Sequence, residues 1–207
     1  MLGTNSEHLL DTIFIVDDDP LVRNSLEAIL SLAGFKSIKF ASAQQFLSHI
    51  TSRHSGCVLV DVRMPDMDGL ALQEELLRRK TSLSVIVMTG HADVTLAVRA
   101  MQGGALDILE KPIDRGRLIA LVQAGLATAR GKAERAVRAE AIEKRIAELS
   151  TRERDILRQI IGGHSNKMIA RMLNISSRTV EIHRARVMKK MNAESIASLV
   201  RMTVDFL

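Results

Sequence analysis

Short apolar runs alternate with longer amphipathic segments over the first 125 residues, and this alternation restricts the fold more than any other feature. Strands are predicted at residues 12–16, 37–40, 57–60, 85–88 and 107–109. Helical patterns cover residues 20–33, 43–50, 70–79 and 94–103, and a fifth begins near residue 114. Strands that alternate with helices form parallel sheets with right-handed crossovers and helices on both faces. The pattern therefore predicts a doubly wound α/β domain, residues 1–125, with a five-stranded parallel sheet.

The segment after this domain has a different pattern. Residues 126–149 are rich in Ala, Arg and Glu and contain no proline, which predicts a helical linker with Gly131 as its weak point. Ile142, Ile146 and Leu149 have a spacing that also suits a short coiled coil, but one such run is too brief to be specific. We therefore favour a solvated linker over a dimerising coil.

Residues 150–207 are predicted to form a small all-α domain. Ser150 and Glu153 have the spacing of a capping box at the start of its first helix. Four helices are predicted, at residues 151–161, 166–173, 177–191 and from about residue 195. A short helix, a tight turn and a longer basic helix form the layout of a helix-turn-helix unit.

The distribution of charge separates the two ends of the chain. Residues 1–125 carry 12 Lys and Arg against 15 Asp and Glu, whereas residues 126–207 carry 17 against 9. A basic domain with a reading helix is typical of nucleic-acid binding. No apolar run approaches the roughly 20 residues of a membrane span, and no signal-type segment opens the chain, so we expect a cytoplasmic protein without a membrane partner. The single cysteine, Cys57, has apolar neighbours and is expected to be a buried, inert thiol.

Polar side chains of particular chemistry stand at the ends of four predicted strands. They are Asp17 and Asp18 after the first, Asp61 after the third, Thr89 after the fourth and Lys111 after the fifth. Because the carboxyl ends of parallel strands share one edge of a sheet, these positions are expected to converge on one crevice. Each feature alone has a structural explanation as a helix cap or a loop, but five in this order favour a site.

The residue types of this crevice suit phosphoryl chemistry. Clustered carboxylates repel one another unless a cation lies between them, and such oxygen ligands suit Mg²⁺. We predict that Asp61 attacks a phosphoryl group and retains it as an acyl phosphate. Lys111 would neutralise the phosphate oxygens, the Thr89 hydroxyl would donate to one of them, and Gly90 leaves room.

The strings IVDDD, LVDVRMPDMDG, VMTGHAD and DILEKP resemble the receiver domain of two-component response regulators, and the whole chain resembles the FixJ type. The resemblance implies that Asp17 and Asp18 are the acidic metal pair and that Asp61 is the phosphoacceptor. It makes Thr89 the switch hydroxyl and Lys111 the phosphate partner. It also implies that the backbone carbonyl of Arg63 is a metal ligand and that the peptide bond between Lys111 and Pro112 is cis.

One residue departs from the family pattern. Where the family usually has an aromatic switch side chain, three residues before the lysine, this sequence has Ile108, and the chain contains no Tyr or Trp. We expect phosphorylation to persist because none of its chemical groups is missing. The conformational readout is expected to be weaker because isoleucine does not rotate as a ring does.

The helix predicted at residues 177–191 has one face for a core and one for DNA. Val180, Val187 and Met191 form the core stripe, with His183 and Arg184 at its edges. The candidate base-reading residues are Arg178, Thr179, Glu181, Ile182 and Ala185. The candidate phosphate contacts are Lys167, Arg186, Lys189 and Lys190.

The strings LSTRERDIL, NKMIARMLNISSRTVEIHRARVMKKM and AESIASLVR resemble the LuxR-type helix-turn-helix. The resemblance makes residues 177–189 the recognition helix and Glu153 the characteristic glutamate of the first helix. His164 and His183 are too far apart, and lack the Cys or further His partners, for a metal site. For His183 we favour a core-edge or phosphate-contact role.

These features together predict a transcriptional regulator and not an enzyme. The resemblance implies that a sensor histidine kinase passes phosphate to Asp61, and that the face formed by the fourth helix and fifth strand, residues 94–101 with Ile108, changes and is the dimer interface. Two molecules would then pair and bind a two-part site in double-stranded promoter DNA. RNA polymerase is a possible further partner.

Two alternatives belong to other classes. Asp17 and Asp19 have the spacing of the nucleophile pattern in haloacid dehalogenase-type phosphatases. However, Leu21 stands where those enzymes need Thr or Val, no acidic pair follows the lysine, and Asp61 would be idle. The other alternative is a DNA-binding protein whose receiver only dimerises, which the acidic cluster disfavours and Ile108 keeps open.

Overall fold

The computed structural model describes residues 11–51, 54–91 and 93–206. The chain divides into two compact units, one ending at Glu134 and the other beginning at Arg135. The first unit has two hydrophobic cores and the second unit has one.

The first unit contains a parallel sheet of five strands, as predicted. The strands are β1 (Thr12–Val16), β2 (Ser37–Phe40), β3 (Ser55–Asp61), β4 (Ser82–Thr89) and β5 (Asp107–Glu110). Their order in the sheet is β2-β1-β3-β4-β5. The helices are α1 (Pro20–Leu32), α2 (Ala43–His49), α3 (Gly69–Arg78), α4 (Val94–Gln102) and α5 (Arg115–Ala147). The doubly wound α/β prediction is confirmed.

Side chains that alternate along the central strands fill two cores, one on each face of the sheet. Phe14 and Val58 belong to one core, and Ile13 and Leu59 belong to the other. Strands covered on both faces are apolar almost throughout, which is why the sequence showed continuous apolar runs.

The strands β3 and β4 are longer than predicted. Serines extend both strands at their amino ends, and Ser55, Ser82 and Ser84 are all buried. The strands were predicted from apolar runs, and polar serines do not extend such a run even where they are buried. At the carboxyl ends, Asp61 and Thr89 are the last residues of their strands and not the first residues of loops.

The helix α5 is continuous over 33 residues and passes through Gly131. Its residues Leu118, Val122 and Leu126 pack into the core of the first unit. In the second unit, Ile142 and Ile146 pack against a core that also contains the buried Leu149. The solvated-linker interpretation therefore does not hold for this stripe, because its apolar side chains pack inside the second unit.

The second unit is all-helical, as predicted. It begins with the last part of α5, from Arg135. The elements that follow are α6 (Thr151–Ile161), α7 (Asn166–Leu173), α8 (Ser177–Met191), α9 (Ile196–Thr203) and a short 3-10 helix (Val204–Phe206). The capping box of Ser150 and Glu153 is present. Asn174 takes a left-handed conformation that ends α7, and Ser176 caps α8, so a turn of three residues separates the two helices. Among the described helices, none is long and apolar enough to cross a membrane.

Candidate functional site

Three of the predicted site residues meet at the carboxyl edge of the sheet. Asp17 follows β1 directly, Asp61 ends β3, and Lys111 follows β5. The Lys111 ammonium donates to Asp61 Oδ1 at 2.6 Å and to Asp17 Oδ2 at 2.9 Å. The structure therefore brings together residues that lie as many as 94 positions apart in the sequence.

Backbone amides hold the second oxygen of each carboxylate. The Arg63 amide donates to Asp61 Oδ2 at 2.7 Å, and the Asp19 amide donates to Asp17 Oδ1 at 2.9 Å. Each carboxylate is thus fixed between a backbone donor and the ammonium. Arg23, which the sequence analysis did not select, donates to the backbone carbonyl of Asp17 at 2.6 Å and ties α1 to the site.

Burial strengthens the electrostatics of this group. Asp17 is 1% exposed and Asp61 is 6% exposed. Burial raises the pKa of Asp17, and the hydrogen bond from Lys111 opposes this shift. Burial also disfavours the charged form of Lys111, but its hydrogen bonds to Asp61 and Asp17 prevail and raise its pKa. The ammonium therefore stays charged between the two carboxylates.

The predicted cluster of three carboxylates is reduced to two. Asp18 is exposed, and the described residues contain no group of three or more His, Cys, Asp or Glu side chains that could hold a metal ion. The Lys111 ammonium already supplies the positive charge between Asp17 and Asp61. Two buried carboxylates with free lone pairs are nevertheless hard oxygen donors of the type that suits Mg²⁺.

Asp19 caps a helix, which argues against the phosphatase alternative because that alternative needs Asp17 and Asp19 together in the site. It is the N-cap of α1, and its side chain accepts from the backbone amide of Leu21 at 2.8 Å. The Asp19 carboxylate therefore caps the start of α1 and does not belong to the crevice.

Thr89 and Ile108 lie on the neighbouring strands. The Thr89 side chain is buried, and its hydroxyl donates to the backbone carbonyl of His91 at 2.9 Å. Ile108 pairs with Val87 across β4 and β5 and packs against one of the two sheet cores. The peptide bond between Lys111 and Pro112 is cis, as the resemblance implied.

The helix α8 presents the predicted faces. Val180, Val187 and Met191 are fully buried. The predicted contacts on α8 and α7 that are exposed are Arg178, Glu181, Ile182, Ala185, Arg186, Lys189, Lys190 and Lys167. Thr179 is half-buried, and its hydroxyl lies 2.8 Å from that of Ser176. Arg178 and Glu181 form an exposed ion pair at 3.2 Å.

Lys190, one of the predicted phosphate contacts, also pairs with a carboxylate of its own unit. Its ammonium donates to Glu153 Oε2 at 2.7 Å and to the backbone carbonyl of Glu148 at 3.1 Å. The Glu153 side chain is only 5% exposed and also accepts from the Ser150 amide. The hydrogen bond from Lys190, followed by that from Ser150, lowers the pKa of Glu153 to about 2. Lys190 therefore neutralises a buried carboxylate.

Comparison with known protein families decides the identity of both units. The response regulator receiver domain matches residues 13–123, and the luxR family of bacterial regulatory proteins matches residues 147–203. The chain belongs to the response regulators. It is a DNA-binding two-component response regulator in which a receiver precedes a LuxR-type domain.

Full-length relatives share this organisation. The chain is 43% identical to the transcriptional regulatory protein FixJ of Bradyrhizobium diazoefficiens, over 93% of this chain and 94% of the relative. It is 35% identical to the response regulator protein TodT of Pseudomonas putida, over 97% and 89% respectively. Among solved structures, the response regulator StyR matches with a TM-score of 0.78 and 35% identity, over 95% of this chain and 99% of that one. Full-length FixJ from B. japonicum matches with a TM-score of 0.56 and 42% identity, over 94% and 96%.

Proposed function

We propose that this response regulator accepts a phosphoryl group on Asp61 from the phosphohistidine of a sensor kinase, and that phosphorylation controls promoter binding by α8. The observation that carries the proposal is the position of Lys111, whose ammonium bridges Asp61 and Asp17 at 2.6 and 2.9 Å. A carboxylate fixed beside a charged lysine is prepared for attack on a phosphoryl group.

In the transfer, a carboxylate oxygen of Asp61 forms a bond to phosphorus while the bond from phosphorus to the imidazole nitrogen breaks. The electron pair of that bond stays on the nitrogen of the kinase histidine, and Asp61 becomes an acyl phosphate. The Lys111 ammonium, which pairs with the carboxylate before transfer, then pairs with the negatively charged phosphoryl oxygens. The Thr89 hydroxyl, released from the His91 carbonyl, donates to one of these oxygens.

The two buried carboxylates fit a divalent cation by donor type. Asp17, Asp61 and the backbone carbonyl of Arg63 would hold Mg²⁺, with Asp18 at the exposed side. When bound, the ion would supply positive charge to the phosphoryl oxygens. Receiver chemistry of this kind transfers a group to the protein itself, so we propose no turnover of other phosphate esters.

The test is phosphorylation of the full chain by a small donor such as acetyl phosphate with Mg²⁺. We expect wild type to gain one hydroxylamine-labile phosphoryl group and Asp61→Asn to gain none. The matched control is Asp66→Asn, an exposed loop acid five residues further on, which should be labelled as wild type is. Equal labelling of Asp61→Asn would contradict the proposal.

For DNA, we propose that Arg178 and Glu181 contact base edges and that Ile182 and Ala185 meet thymine methyl groups. Arg186, Lys189 and Lys167 would contact phosphates. Lys190 is omitted because Glu153 holds it.

Dimerisation would align two recognition helices on a two-part site. The proposed surface is α4 with Ile108, since Val94 is 80% exposed and Val98 and Met101 are also exposed. A promoter-bound dimer would act on RNA polymerase, in the cytoplasm where bacterial DNA lies.

The second candidate, a phosphorylation-independent DNA-binding protein, rests on the isoleucine at position 108. We expect phosphorylated Ile108→Phe to dimerise more strongly than phosphorylated wild type in analytical ultracentrifugation. Identical dimerisation would reject a weakened switch.

A gel-shift titration in which neither phosphorylation nor Asp61→Asn changes promoter affinity would favour the second candidate.

A further inference from the structure

Two helix ends in the DNA-binding unit are built alike. Asn174 ends α7 and Asn192 ends α8, both in the left-handed conformation, with φ angles of 51° and 52°. After each asparagine, the next backbone amide donates to the carbonyl five residues earlier, inside the helix. These bonds satisfy carbonyls of the preceding turn, so the carbonyl of the last helical residue needs a donor from elsewhere.

An arginine donates to the last carbonyl at each of these ends. Arg152, on α6, donates from Nη2 to the backbone carbonyl of Leu173, the last residue of α7, at 2.8 Å. Arg145, near the end of α5, donates from Nη1 to that of Met191, the last residue of α8, at 3.1 Å. Both arginine side chains are half-buried. A cation at the negative end of a helix dipole is favourable, so both contacts stabilise the ends that they close.

The two contacts hold the recognition helix at both of its ends. Leu173 stands directly before the turn that leads into α8, and Met191 ends α8, which has 15 residues and is about 22 Å long. The residues proposed to read bases, from Arg178 to Ala185, lie between the two contacts. Base readout needs short and well-aligned hydrogen bonds, so a small tilt of α8 would impair it. Flexible lysine side chains reach phosphates from several helix positions, so the same tilt would cost them little.

We propose that Arg145 and Arg152 are positioning residues that hold α8 at the angle needed for base readout, and that they determine DNA specificity without contacting DNA. This inference rests on the proposed reading of bases by α8. Each guanidinium is engaged with a carbonyl of its own unit, so replacing it removes an anchor of α8 and not a phosphate contact.

The test compares the affinity of the full chain for two DNA duplexes. The specific duplex is selected from random oligonucleotides by wild type treated with acetyl phosphate, and a scrambled duplex of the same length is the non-specific probe. Arg145→Gln and Arg152→Gln should each bind the specific duplex about tenfold more weakly, the effect of losing one base contact. Affinity for the scrambled duplex, and its dependence on salt, should stay as in wild type because phosphate contacts supply it.

Matched controls remove a neighbouring positive charge that makes a different contact. Lys144→Gln lies beside Arg145 on α5, and Arg158→Gln lies on α6 with Arg152. Both wild-type side chains are exposed and pair with an acid of their own helix. These two variants should keep wild-type affinity for both duplexes.

Lysine variants separate positioning from a general loss of folding. Arg145→Lys and Arg152→Lys keep a charged donor without the planar fork, so they should restore part of the affinity for the specific duplex. Far-ultraviolet circular dichroism at the temperature of the binding measurement checks that each variant is folded. If a glutamine variant is unfolded, the lysine variant at that position decides, with an expected loss of specific affinity smaller than tenfold.

Unchanged affinity of the folded variants for the specific duplex would overturn the inference. An equal loss on both duplexes would also overturn it, since it would indicate a direct phosphate contact or a merely structural role. Failure of wild type to select any sequence would instead overturn the proposed reading of bases by α8.

Discussion

At the scale of single residues, each unit has a lysine that pairs with a buried carboxylate, and the sequence revealed only the lysine of the first unit. Lys111 was predictable because strand ends of a parallel sheet meet at one edge. Lys190 was assigned to DNA because helical periodicity places it near the basic face of α8. Its partner, Glu153, lies 37 residues away on α6, and the packing of two helices is not encoded in the period of either.

The Glu153 carboxylate is expected to make folding of the second unit depend on pH. Its pKa falls from 4.5 to about 2 on folding, so its contribution is complete above about pH 4.5 and is lost as pH falls through 2. Removing one partner leaves the other without compensation, so Lys190→Met should destabilise the fold by about 2 kcal/mol at pH 7. Glu153→Gln should flatten the pH dependence between pH 4.5 and 2.

Urea unfolding followed by far-ultraviolet circular dichroism measures both effects, since the chain has no Trp or Tyr to report by fluorescence. Glu194→Gln, an exposed carboxylate of the same unit, serves as the control. A Glu153→Gln profile parallel to wild type below pH 4.5 would exclude this carboxylate as the source of the dependence.

At the scale of elements, two glycines of α5 lie in opposite environments. An added Cβ on Gly125 would meet the Cys57 sulfur at 2.6 Å, whereas one on Gly131 would meet nothing within 4 Å. Gly125 thus lets α5 approach β3 closely. The sequence indicated only Gly131, as the weak point of the predicted helix. A sequence pattern reports helix propensity but not the distance from a helix to a neighbouring strand.

Alanine at these two positions should change stability in opposite directions. Gly125→Ala should destabilise the first unit by about 1 to 3 kcal/mol through overpacking against Cys57. Gly131→Ala should stabilise α5 by up to about 1 kcal/mol because alanine has the higher helix propensity. Thermal unfolding of the two variants in parallel measures the change in stability of each. A change in the same direction for both variants would refute the explanation that the space around each glycine decides the effect.

At the scale of the whole molecule, the order of elements and the location of the basic charge were predictable from the sequence. The predicted bounds of α7 and α8 agree with those of the structure, in which Ser165 and Ser176 cap the two helices. The use of residues 142–149 in the second core was not predictable. An apolar stripe of three residues is the same whether it faces a partner helix or its own domain.

The excess of basic residues in residues 126–207 should make DNA affinity strongly dependent on salt, but two neighbouring lysines should contribute differently. Lys189 is exposed and faces outward with the reading residues, whereas Lys190 is held by Glu153. Lys189→Ala should reduce the slope of log affinity against log salt by about 0.9, the loss of one phosphate contact. Lys190→Met should lower stability and leave the slope unchanged. Fluorescence anisotropy with labelled promoter DNA over a salt series measures both slopes. A reduced slope for Lys190→Met would show that Lys190 contacts a DNA phosphate.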